Sequence, residues 1–182
     1  MEEKRILLTG FEPFSDLDIN ESSEVVKLIS NSGLQDVEII PSILSVDEEG
    51  TESSLHILKA MEFDAVIHLG LSRDSEKILF ERFATNLISM ELPDNSGRLV
   101  KGSKILENAP EIIKTTASIN NFDEEFEQDK DVQWSNSAGS YVCNETYFKT
   151  LSGLSNSTIP VLFIHLPKMS EISLNRQVEV VS

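Results

Sequence analysis

A single cysteine, Cys143, stands among the 182 residues, which excludes a disulfide framework and any multi-cysteine metal site. No His-x-x-x-His pair or dense carboxylate loop takes its place, so zinc and calcium spacings are missing and no metal is expected. Gly-x-Gly-x-x-Gly and Walker patterns are also missing, which removes the usual phosphate cradles; no cofactor is expected. Basic residues are few. The 15 Lys and Arg face 31 Asp and Glu, and a net charge of −16 repels nucleic acid and anionic membrane surfaces, so neither is an expected partner. No apolar run approaches the roughly 20 residues that span a bilayer. The opening Met1-Glu2-Glu3-Lys4-Arg5 mixes charges of both signs before a short apolar run, unlike an export signal. The expected compartment is the cytoplasm, where a lone thiol stays reduced.

The remaining composition is that of a globular chain, 40% hydrophobic and 25% charged, long enough to bury a core without staples. One domain over residues 1–182 is expected. Arg5 to Thr9 is a short apolar run closed by Gly10 and suits a central parallel strand. Residues 22–30 place Val25, Val26, Leu28 and Ile29 at helical spacing. Residues 37–46 read as a second strand, in which Pro41 favours an edge or a break. Residues 54–61 read as a helix, Asp64 to Gly70 as a third strand, and Val161 to Leu166 as a buried strand stopped by Pro167. Alternating strands and helices predict an α/β layer fold whose ligands collect at the carboxyl ends of the strands. Residues 88–102, with Pro93-Asp94-Asn95-Ser96-Gly97, form a turn-rich loop. Residues 107–130 hold a helix and an acidic run that reads as solvated surface.

Chemistry concentrates in three places. The small-residue run Ser135-Asn136-Ser137-Ala138-Gly139-Ser140 leads into a segment that reads as a helix, with Cys143 at its start. A thiol there meets the positive end of the helix dipole and free N–H groups, which favours a thiolate nucleophile; the bland alternative is a buried small hydrophobe. His165 at a strand end is the matching base. Glu81 either orients that imidazole or forms a surface pair with Arg82. Phe11 and Phe14, followed by Asn20, suit either an apolar slot for a flat ring or loop anchors packed on the core. His56 and His68 read as structural, although His68 precedes Gly70 closely enough to reach the same cleft.

Five ordered blocks carry a resemblance. Leu7 to Phe14 with Asn20 and Ser22, Glu81 to Leu87, Pro93-Asp94-Asn95, Ser137 to Asn144, and Phe163 to Pro167 together resemble pyroglutamyl peptidase I, the pyrrolidone-carboxylate peptidase family of cysteine peptidases. The resemblance implies a single three-layer α/β/α sandwich with a mostly parallel mixed central sheet. It implies Cys143 as nucleophile, His165 as general base and acid, and Glu81 as orienting carboxylate. The implied reaction removes an N-terminal pyroglutamyl residue from peptides through a thioester acyl-enzyme. The implied slot for the lactam is made by Phe11 and Phe14, walled by Val142 and Leu92. Asn20 and the backbone near Leu71 meet the lactam's polar groups, and N–H groups near Cys143 and in the Leu71-Ser72 turn form the oxyanion hole.

Several positions depart from the family pattern. Ser15 and Glu21 stand where glycine and proline are usual, Leu71 replaces a common glutamine, and Glu91 replaces a common arginine. The final helix is shortened, because residues 168–182 leave room for only a short one. Bacterial relatives use the neighbourhood of residues 103–134 in subunit contacts, so a homo-oligomer, dimer or tetramer, is a further expectation. The alternatives are a thiol amidase for another small acyl group, and a weak or silent relative that binds peptides or a partner.

Overall fold

The computed structural model describes residues 3–182, so Met1 and Glu2, which open the segment read above as unlike an export signal, lie outside the described residues. A six-stranded sheet forms the centre. Its strands are β1 (Lys4–Phe11), β2 (Val37–Leu44), β3 (Ala65–Leu71), β4 (Ile78–Glu81), β7 (Val132–Ser135) and β8 (Val161–Leu166). They lie in the order β2-β1-β3-β8-β4-β7, and every neighbouring pair is parallel except β4 with β8. The antiparallel β4 makes the sheet mixed. A separate antiparallel pair, β5 (Phe83–Thr85) with β6 (Ile112–Lys114), flanks it.

Side-chain alternation along the strands divides the apolar residues between two faces. Leu7, Phe11, Val66, Val161 and Phe163 join one core with Tyr147, Phe148 and Leu151 of α4 (Val142–Gly153) and Ile57 and Leu58 of α2 (Glu48–Ala60). Leu8, Leu69, Phe80, Leu162 and Ile164 join the other, beneath α1 (Glu21–Ser32), α3 (Ile119–Phe126) and α5 (Leu174–Val181). Helices therefore cover both faces, as the α/β reading requires. Pro41 sits in edge strand β2, and the acidic run of α3 is solvent-exposed. No helix among the described residues is long and apolar enough to cross a membrane.

Two boundaries differ from expectation. Helix α2 starts at Glu48, six residues before the start read at residue 54, because Asp47 caps it at Gly50 N–H and its first turns bury polar groups. Thr51 accepts from the Lys149 ammonium, and Ser54 shares a hydrogen bond with Thr150. Strands β4 to β7 are only three or four residues long, too short for a periodicity to register.

His68 is a structural residue, as expected. Fully buried on β3, it shares hydrogen bonds with Thr9 Oγ1 on β1 (2.7 Å, through Nδ1) and with Thr150 Oγ1 on α4 (3.0 Å, through Nε2). Burial pushes its pKa from 6.5 down to about 3. Below pH 6.5 the unfolded chain therefore takes up a proton that the folded chain refuses until about pH 3, so stability falls as pH falls through that window. We expect this group to contribute a slope of about 1.4 kcal/mol per pH unit below 6.5. Urea unfolding between pH 7 and 5 measures it, and His68→Gln should flatten the slope; an unchanged slope would contradict the buried neutral ring.

Candidate active site

Three strand ends and one helix start converge on the face that carries α4. Gly70 on β3 and His165 on β8 are directly opposite in register. Glu81, the last residue of β4, pairs with Phe163, which places its side chain diagonal to His165 on the same face. The diagonal distance suits a carboxylate, and Glu81 Oε1 lies 2.7 Å from His165 Nδ1. Glu81 is fully buried, so the surface-pair alternative with Arg82 is corrected. Its Oε2 has no partner among the described residues, leaving the imidazole as the sole hydrogen-bond partner of this side chain.

With Nδ1 engaged by Glu81, His165 has Nε2 free for Cys143, which lines the same cavity and lies close enough to act on the ring's charge. Burial works against a charge on this ring. The nearby Cys143 and the hydrogen bond to Glu81 outweigh it and push the imidazole from 6.5 up to about 10. The ring is thus held as an imidazolium at neutral pH, beside the sulfur.

Cys143 is the second residue of α4. Side chains cap the other four described helices through Asn20, Asp47, Ser118 and Ser173, whereas the N-cap of α4, Tyr141, makes no side-chain cap hydrogen bond. The first N–H groups of α4 are thereby left for another acceptor. The turn before it depends on Gly139, whose φ of 81° is left-handed. Gly70 supplies the remaining constraint, because a Cβ there would meet Cys143 Sγ at 2.9 Å and the Phe163 ring at 2.8 Å.

A cavity of about 120 Å³ opens at this helix start. Of the residues expected to form the site, Phe11, Phe14, Asn20, Leu71, Val142, Cys143 and His165 line it, and Val46, Ala138 and Tyr141 complete its wall. Leu92 does not belong to the lining; it is 54% exposed, because its turn-rich loop directs it to solvent. Phe11 serves both open alternatives, as a buried core residue with one side on the cavity. Asn20 is mostly a structural cap: Oδ1 accepts from the N–H and hydroxyl of Ser22, and Nδ2 donates to the Glu12 carbonyl, leaving one N–H. The Ser72 N–H donates to the Leu166 carbonyl at 2.8 Å, which removes it from any oxyanion hole.

Sequence reasoning gave no role to the residues that hold α4 in place. Buried Asn144 accepts from the Thr85 N–H and donates to the Thr85 and Leu87 carbonyls, fastening the first turn of α4 to β5. Glu145 receives two hydrogen bonds from Arg98, whose Nε binds Asp94, so the Pro-Asp-Asn turn is tied to the same helix. Hydrogen bonds from Ser96 and Arg98 hold the Asp94 carboxyl below the ordinary carboxylate range although burial opposes this. The available signal was polar residues flanking the cysteine; their partners lie 47 to 59 residues away.

The family model described as Pyroglutamyl peptidase matches residues 4–181. A pyrrolidone-carboxylate peptidase of Oceanobacillus iheyensis is 30% identical over 179 residues, covering 96% of this chain and 89% of that protein. One of Thermococcus kodakarensis is 34% identical over 176 residues, covering 94% and 85%. The crystal structure of the pyrrolidone carboxyl peptidase of Fervidobacterium islandicum superposes with a TM-score of 0.89 at 30% identity, covering 98% of this chain and 94% of that one.

Two outcomes test the geometry. The His165 ring should remain an imidazolium at pH 8 by NMR, and Glu81→Gln, which removes a raising influence, should move its titration downward; a ring neutral at pH 7.5 in the native protein would contradict the arrangement. Gly70→Ala should leave a folded protein whose Cys143 reacts with iodoacetamide more slowly, because the new methyl displaces the sulfur.

Proposed function

Because the chain belongs to the pyroglutamyl peptidase family, it is a cysteine-type peptidase that removes an N-terminal pyroglutamyl residue from peptides, and we propose that Cys143, His165 and Glu81 carry the reaction. The observation that supports this most is the 2.7 Å hydrogen bond from Glu81 to a His165 ring that lines one apolar cavity with Cys143, at a helix start that no side chain caps. Cys143 Sγ attacks the pyroglutamyl carbonyl carbon as the partner of the His165 imidazolium. The carbonyl oxygen takes the negative charge, and free N–H groups in the first turn of α4 receive it. His165 Nε2 gives its proton to the departing amine as the C–N bond breaks, leaving a thioester and a neutral imidazole. That imidazole takes a proton from water, the hydroxide adds to the thioester, and pyroglutamate leaves as the sulfur regains its pairing with the imidazolium. Glu81 holds the ring so that Nε2 faces the sulfur throughout.

Selectivity follows from the cavity. Phe11, Phe14, Val46 and Val142 offer apolar walls to a flat lactam, and an amine-bearing residue would bring an unmatched charge into them. The spare Nδ2–H of Asn20 is the donor for the lactam carbonyl, and backbone near Leu71 meets the lactam N–H. The chain acts as one peptidase domain in the cytoplasm. Its acidity disfavours nucleic-acid and anionic-membrane partners, and a homo-oligomer is a reading that light scattering tests directly.

The purified protein should release a fluorophore from a pyroglutamyl amide and not from a prolyl amide; a folded protein that hydrolyses neither would favour a silent relative, and equal hydrolysis of both a broader thiol amidase. Cys143→Ala should abolish turnover while the fold persists. Glu81→Gln should lower kcat about 10²–10⁴-fold with a smaller change in KM, since it acts on imidazole orientation and not on binding. An unchanged rate would remove Glu81 from the set.

A further inference from the structure

One aromatic wall of the cavity, Phe14, belongs to the segment between β1 and α1, which has no helix or strand of its own. That segment holds a conformation its sequence resists. Ser15 has a φ of 59°, in the left-handed region that disfavours residues with a Cβ, and within the turn only the Leu17 N–H to Phe14 carbonyl bond, long at 3.2 Å, offsets this among the backbone hydrogen bonds of the described residues.

One side chain supplies three contacts. Arg73, just beyond the end of β3, lays its guanidinium over the Phe14 ring, with Cζ 4.7 Å from the ring centroid. Its Nη2 donates to the Phe14 carbonyl at 3.4 Å and to Asp16 Oδ1 at 3.1 Å, so the contacts bracket Ser15. Its Nε has no partner among the described residues, which leaves these contacts as the purpose of the group. An ion pair to an Asp that is 80% exposed is weak by itself; the hold comes from the ring face and carbonyl together with it. The Phe14 ring also lies 6.0 Å from that of Tyr141, whose hydroxyl donates to the Pro93 carbonyl, and Asn95 Nδ2 donates to the Pro13 carbonyl. The wall is therefore fastened to α4 and to the Pro-Asp-Asn turn without Arg73, but the side-chain tie from Asp16 to the rest of the fold is to Arg73.

We infer that Arg73 is a positioning residue that keeps Phe14 closed against the bound acyl group and holds the Ser15 turn, so that it sets substrate affinity and not the rate of bond breaking. The inference rests on the reading of this cavity as the pyroglutamyl site. Among the described residues Arg73 does not line the cavity, and its contacts are to Phe14 and Asp16 and not to Cys143, His165 or Glu81, which is why KM and kcat should separate.

Arg73→Ala should raise KM for a pyroglutamyl amide roughly five- to tenfold while kcat stays within about twofold. Arg73→Lys, which keeps the charge and loses the planar fork, should fall between the two. Ser15→Gly added to Arg73→Ala should recover most of the lost affinity, because glycine takes the left-handed turn unaided. A readout independent of turnover is protection of Cys143, the sole cysteine, from iodoacetamide by 2-pyrrolidone, followed by mass spectrometry. The half-protecting concentration should rise in Arg73→Ala by the same factor as KM. Equal protection of the wild type and the variant, a fall in kcat at unchanged KM, or no recovery with Ser15→Gly would overturn the inference. A wild type that 2-pyrrolidone does not protect would overturn the lactam reading of the cavity, and this role of Arg73 with it.

Discussion

The hydrogen bond between buried Glu81 and His165 makes demands on nearly every element around it. A carboxyl group with one hydrogen-bond partner and no exposure is costly to bury, and here that partner is a ring which is itself buried. The antiparallel placement of β4 beside β8 brings the two side chains onto one face, diagonal in register, at the end of the sheet where α4 begins. Running antiparallel, β4 sets Leu79 opposite His165 and Glu81 opposite Phe163, two residues back along β8, and this register puts the carboxylate within reach of the ring. The single antiparallel pair in the main sheet thus has a chemical consequence.

Placing the sulfur against that ring requires the helix start to approach the sheet closely. Gly70 permits the approach by having no Cβ, and Asn144 fixes it by binding the backbone of Thr85 and Leu87. The Arg98–Glu145–Asp94 network extends the same fixation to the loop across the cavity, with partners that are largely buried and therefore poorly screened by salt. The first turn of α4, by contrast, is left without a cap. A rigid frame around unsatisfied N–H groups is what stabilisation of a developing oxyanion needs, since nothing has to reorganise as charge appears.

How much of this could be read from the chain varies with the physical origin of each feature. The strands β1, β3 and β8 are continuous apolar runs, so the layered fold was legible, and the proposed reacting groups stood out for different reasons: His165 within such a run, Cys143 after a run of small residues, and Glu81 only as one of two readings. Helix α2 was read too short because its first turns are buried through polar contacts, Thr51 accepting from Lys149 and Ser54 sharing a hydrogen bond with Thr150, and not through apolar side chains. Leu92 was placed in the pocket because apolar loop residues carry no periodicity that says which way they face; it points outward. The Ser72 N–H was expected to be free, and only the sheet register shows that Leu166 takes it. Asn20, Asn144 and Arg98 act through partners distant in sequence, or through backbone atoms that a sequence does not display.

The central claim is that the Cys143 sulfur forms a covalent bond to the carbonyl carbon of a pyroglutamyl group seated in this cavity. An aldehyde analogue of pyroglutamate, labelled with carbon-13 at the aldehyde carbon, examines that bond without waiting for turnover. On the native protein the label should convert from the hydrated aldehyde to the tetrahedral thiohemiacetal carbon, and the signal should be missing in Cys143→Ala. A label that remains hydrated on folded native protein, or that forms the same adduct without Cys143, would contradict the account.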